Sequence, residues 1–80
     1  MSMTYTVART QTGWLVTEDG EAVARPATGS LAMATAHLLT LAARATGRPA
    51  RLTTRRADGR LESLDADQPF ERLNLYLSER

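Results

Sequence analysis

The chain contains no cysteine and no lysine. Without cysteine there is no disulfide framework, no thiolate metal site and no thiol nucleophile, a composition that suits a reducing compartment such as the cytoplasm. Aromatic residues are scarce: Tyr5, Tyr76, Trp14 and Phe70. Histidine occurs once, at His37, and proline three times. There is no long hydrophobic run. The most apolar stretch, residues 31–45, is interrupted by Thr35, His37, Thr40 and Arg44, which makes it too short and too polar to span a bilayer. The start of the chain, Met1-Ser2-Met3-Thr4-Tyr5, lacks the charged-then-apolar pattern of a secretion signal. The expectation is a cytoplasmic protein with no membrane segment. Eighty residues make one small domain, residues 1–80, whose thin core buries only about two-thirds of the unfolded surface and benefits from oligomerisation.

The positive charge that is present comes entirely from ten arginines, set against nine acids for a net +1. Its distribution is uneven. Residues 1–43 carry −1, residues 44–60 carry +5 and residues 61–80 carry −3. Such segregation points to a basic surface in the middle of the chain and an acidic one after it.

Residues 4–9 alternate with period two and are rich in β-branched and aromatic side chains, which predicts a strand. Gln11-Thr12-Gly13 reads as a turn and residues 14–17 as a second strand. Asp19-Gly20 is a hairpin signal, because a type I′ turn needs positive φ at both central residues. That turn sets Val16 opposite Val23, Trp14 opposite Arg25 and Glu18 opposite Glu21. Pro26 ends the third strand. Residues 30–46 form a helix, with Ser30 or Thr28 as N-cap and Gly47 as the residue after the C-cap, followed by Pro49. Leu31, Ala34, Leu38, Leu41, Ala42 and Ala45 make its apolar stripe. The remaining face carries Met33, Ala36, His37, Thr40, Ala43 and Arg44. Residues 51–56 predict a fourth strand, Asp58-Gly59 a second hairpin and residues 60–64 a fifth strand. A two-residue turn there pairs Arg56 with Leu61, Arg55 with Glu62 and Thr53 with Leu64. In the tail, Phe70, Leu73 and Leu77 have helical spacing, with Asp67 as N-cap and Pro69 in the first turn. Leu73, Leu75 and Leu77 also alternate as a strand would; the short helix is the favoured reading.

The predicted architecture is therefore α+β, in the order β-β-β-α-β-β, with one helix on a single mostly antiparallel sheet and a short C-terminal helix. A right-handed crossover from the third strand to the fourth places the fourth beside the first, and gives the sheet order 3-2-1-4-5. Tyr5, Val7, Trp14, Val16, Val23, Leu52 and Leu61 are expected to meet Leu31, Leu38 and Leu41 in the core.

The pieces Tyr5-Thr6-Val7, Gly13-Trp14-Leu15-Val16, an Ala-rich helix and Asp58-Gly59-Arg60-Leu61 resemble a family of small bacterial domains of unknown function. Residues 4–64 carry the likeness. The helix departs from it, holding Thr and Ala where members carry Lys and Glu. The resemblance implies the fold and no particular activity. The opening hairpins and helix are also similar to HicB-type antitoxins and to the arm-binding domains of phage integrases.

Catalytic chemistry has little to draw on. His37 has no nucleophile or orienting acid in a recognisable motif, and Ser30 reads as a cap. Asp65-x-Asp67 with Glu71 fails the calcium-hand pattern, since the sixth position is Phe70 and the twelfth Tyr76. There is no glycine-rich phosphate loop. No enzyme activity, cofactor or metal is expected.

Two surfaces are expected instead. Arg55 pairs with Glu62, Arg25 stacks on Trp14, and Arg44 with Arg48 serve the helix C-terminus. Arg51, Arg56 and Arg60 then remain as a candidate nucleic-acid contact on an open sheet face rich in threonine. Leu15 and Leu64 on that face, with Met33, Ala36, His37 and Ala43 on the outer helix face, form a candidate protein interface. Edge strands and the opposed basic and acidic segments offer further routes to association. The favoured reading is a non-catalytic module that binds itself or another protein, as a homodimer or accessory subunit. The alternatives are nucleic-acid binding and an antitoxin-like regulator.

Overall fold

The computed structural model describes residues 2–78. β1 (Met3–Thr10), β2 (Gly13–Glu18) and β3 (Glu21–Ala24) form two successive hairpins. α1 (Gly29–Ala45) follows, then β4 (Ala50–Arg55), β5 (Leu61–Leu64) and α2 (Phe70–Ser78). The five strands make one sheet in the order β3-β2-β1-β4-β5. Only β1 and β4 are parallel, with Tyr5 opposite Leu52 and Val7 opposite Thr54. The α+β class, the strand order and the C-terminal helix all agree with the sequence pattern.

Turn chemistry explains the first hairpins. Asp19 and Gly20 have φ of 51° and 90°, the left-handed pair that a type I′ turn demands. Asp19 also ties this turn to the start of β1. Its Oδ1 accepts from the Thr4 N–H at 2.9 Å, while its own N–H donates to the Thr4 carbonyl at 2.8 Å. Two expected pairings fail. β3 opposes Glu18 with Glu21 and Thr17 with Ala22, but Val16 with Ala24, so a bulge inserts Val23. Val23 is turned outward and 47% exposed instead of sitting opposite Val16. Trp14 loses Arg25 as a neighbour and faces Arg9 of β1.

The second correction is a slip of one residue between β4 and β5. Arg55 opposes Leu61, Thr54 opposes Glu62 and Leu52 opposes Leu64. The connection is a three-residue loop, not a two-residue one. The Arg56 N–H donates to the Arg60 carbonyl, and the Gly59 N–H, at φ 89°, donates to the Arg56 carbonyl. A type I turn followed by a left-handed glycine has this geometry. Because side chains alternate faces, a one-residue slip exchanges the two faces of the whole strand. Leu64 enters the core and Leu61 leaves it, at 8% and 60% exposure.

Thr28 caps α1, its Oγ1 accepting from the Leu31 N–H at 3.1 Å. At the other end Gly47 (φ 86°) and Arg48 donate to the carbonyls of Arg44 and Ala43, a Schellman closure. The helix faces the sheet with the side opposite to that expected. Ala32, Met33, Ala36, Thr40 and Ala43 are buried, and Leu31, Leu38 and Leu41 are exposed. The reason is spacing. Tyr5, Val7, Val16, Leu52 and Leu64 fill the layer above the sheet together with Leu73 of α2 and Met33 of α1, and the other α1 residues packed there, Ala32, Ala36, Thr40 and Ala43, are small. Thr40 is tolerated there because its hydroxyl donates to the Ala36 carbonyl at 2.7 Å.

α2 docks against α1 through the fully buried Leu73, with Phe70, Tyr76 and Leu77 partly buried beside it. Asp67 is not its N-cap. The carboxylate of Asp65 accepts from the Asp67 N–H at 2.9 Å, forming a tight turn before Pro69, whose carbonyl takes the first helical bond from Leu73. Asp67 instead meets Arg44, at 3.4 Å.

Candidate functional site

Only Arg44 among the α1 side chains carries a full charge, and its guanidinium folds back to the Ala50 carbonyl through Nε and Nη2 at 3.1 and 2.9 Å. His37 also turns inward, its Nε2–H donating to the Ala66 carbonyl at 2.9 Å. The outer face is left with Leu31, Ala34, Thr35, Leu38, Leu41, Ala42 and Ala45. Leu31, Leu38 and Leu41 are 54%, 67% and 37% exposed. A helix on the surface of a monomer turns charged and polar residues to water; this one turns leucine. The seven positions are also symmetric about Leu38. Leu31 and Ala45 lie seven residues to either side, Ala34 and Ala42 four, Thr35 and Leu41 three. Over its 17 residues the helix offers a face roughly 25 Å long.

The interface residues expected from sequence fall elsewhere. Met33, Ala36 and Ala43 lie under α1 in the core, and Leu64 lies in the core through the register slip. Leu15 does lie on the open sheet face, half-buried opposite Ala8. The inversion of α1 thus removes the expected patch and exposes the leucine stripe in its place.

The three candidate nucleic-acid arginines do not converge. Arg51, the second residue of β4, lies opposite Thr4, whereas Arg56 and Arg60 flank the loop beyond its far end, about 16 Å away along an extended strand. Arg56 is paired with Glu62 at 2.6 Å, replacing the expected Arg55–Glu62 pair, and Arg60 lies 3.9 Å from Asp58. The open-face threonines bond one another: the Thr6 and Thr53 hydroxyls meet at 2.7 Å, and Thr53 also donates to the Tyr5 carbonyl.

A different arginine cluster forms at the opposite end of β4 from Arg51. Arg9 lies over the Trp14 ring, 5.8 Å from its centroid, where the sequence pointed to Arg25. Arg9, Trp14, Arg55, Arg56 and Leu77 line a cavity of about 360 Å³ with Ala57 and Gly59. Arg9 was absent from the sequence-derived candidates. Its signal lay in the first hairpin, whose two-residue turn puts Arg9 opposite Trp14.

Among the described residues no group of three His, Asp or Glu could hold a metal ion, and no helix is long and apolar enough to cross a membrane. Burial, reinforced by the neighbouring Glu18 carboxylate, raises the Tyr5 phenol above its ordinary value. No family model, no curated protein and no solved structure matches the chain, so the likeness to the small bacterial domains rests on its residues alone.

Proposed function

We propose that this protein is a non-catalytic, self-associating module of the cytoplasm that forms a homodimer through the outer face of α1. One observation carries the reading: a solvent-exposed helix face that holds three leucines and no charge. The symmetry of that face about Leu38 supports a second copy as the occupant. In an antiparallel pairing across a two-fold axis at Leu38, Leu31 opposes Ala45 of the second copy, Ala34 opposes Ala42, and Thr35 opposes Leu41. Leu31 and Leu41 then meet smaller side chains, each such contact occurs twice, and Leu38 meets its own copy on the axis, as a two-fold interface requires. The thin core of a chain this short gives association a further role in stability.

Light scattering across a concentration series tests the proposal. The measured mass should rise towards twice that of the chain. Leu38→Arg places a charge on the axis at a position already exposed, and should hold the protein monomeric with an unchanged circular dichroism spectrum. A wild-type protein that stays monomeric at millimolar concentration, or a Leu38→Arg protein that dimerises equally well, would sink the reading.

A further inference from the structure

The cavity at the C-terminal ends of β1 and β4 plays no part in α1 pairing. We propose that it binds a small organic anion, a phosphate or carboxylate joined to a flat ring. Arg9, Arg55 and Arg56 line it, and among the described residues its lining contains no carboxylate. The parallel register of β1 and β4, with Val7 opposite Thr54, brings Arg9 beside Arg56 when continued by two residues. Like charges on neighbouring strands repel, and an anion between them removes that cost.

The arginines keep donors for it. The Arg9 guanidinium carbon lies over the Trp14 ring, 5.8 Å from its centroid, and a guanidinium held there can grip a phosphate or carboxylate through paired N–H groups. No carboxylate lies within ion-pair distance of Arg9 among the described residues. Arg56 donates through Nη1 to Glu62 and retains its other N–H groups. Trp14 and Leu77 supply the apolar wall on which a ring can lie. A volume of about 360 Å³ suits one ring and one anionic group, at the small end of ligand sites.

Trp14 is the sole tryptophan, so its fluorescence reports from the cavity itself. Phenyl phosphate should give a saturable change in that signal, with benzoate in a parallel titration showing which anionic group is preferred. Inorganic phosphate and phenol, each carrying half of the required chemistry, should bind about tenfold more weakly or worse. Arg9→Gln should weaken phenyl phosphate by about tenfold through loss of a charge-assisted pair. Arg51→Gln, at the other end of β4, should leave it unchanged. Leu38→Arg should bind as the wild type does, which separates this site from dimerisation. No saturable change with either anion, equal binding of inorganic phosphate, or equal weakening by Arg9→Gln and Arg51→Gln would overturn the proposal.

Discussion

Gly29 opens α1 hard against the Trp14 indole. A Cβ there would lie 2.8 Å from Trp14 Cζ2 and 3.1 Å from Leu77 Cδ1. Both neighbours are themselves packed against the core, so little room exists to yield. Gly29→Ala should therefore destabilise the fold by about 1–3 kcal/mol, as overpacking does, despite the better helix propensity of alanine. A lowered urea midpoint with an altered Trp14 emission would show this; a stabilised variant would contradict it. Tyr5 makes a second residue-scale prediction. Its phenol titrates above its ordinary value of 10.0 in the folded state, chiefly through burial. A raised value means that the neutral form is favoured by folding. The contribution is complete below pH 10 and is lost as pH climbs through the folded value. Unfolding free energy measured from pH 9 upward should fall more steeply for the wild type than for Tyr5→Phe. Parallel profiles would show that the burial has no such consequence.

At the scale of the element, legibility followed how local the determining chemistry was. Asp19-Gly20, Thr28, Gly47 and the spacing of Phe70, Leu73 and Leu77 act within a few residues, and the structure uses each of them as the pattern implies. The failures needed knowledge of what lies across a gap. The β4–β5 loop is one residue longer than Asp58-Gly59 suggests, because Gly59 takes the left-handed position after a type I turn. That single residue moved Leu64 inward and Leu61 outward. The facing of α1 does not follow from ranking leucine over alanine, because the side that packs beside Leu73 carries one large residue, Met33, among Ala32, Ala36, Thr40 and Ala43. Hydrophobicity says that a face avoids water; it does not say whether the sheet or another molecule provides the shelter. Leu73→Ala tests this account of the layer. It should cost about 2–5 kcal/mol, the range for a fully buried leucine, and increase hydrogen exchange in α2 before the sheet. A loss below about 1 kcal/mol would mean that α2 does not fill that space.

For the molecule as a whole, the right-handed crossover placed β4 beside β1, and this parallel pairing decides what the protein can present. Both helices pack together on one side of the sheet, and α1 turns Leu31, Leu38 and Leu41 away from it. The same pairing carries Arg55 and Arg56 to the end where Arg9 and Trp14 wait, while Arg51 is left behind at the other end. A net charge of +1 therefore conceals a basic cavity at one pole and an uncharged helix face, and neither is visible in the composition.

In the proposed dimer two copies meet with their Leu38 side chains on a shared axis, and proximity is the most direct readout of that contact. The chain has no cysteine, so single cysteines can be placed without background. Leu38→Cys, Leu61→Cys and Leu75→Cys start from side chains of similar exposure, 67%, 60% and 59%. Treated with a short bismaleimide at the concentration where the wild type associates, Leu38→Cys should be captured as a covalent dimer while the other two remain single chains. Absence of the Leu38 cross-link, or equal cross-linking at all three positions, would contradict an α1-to-α1 dimer.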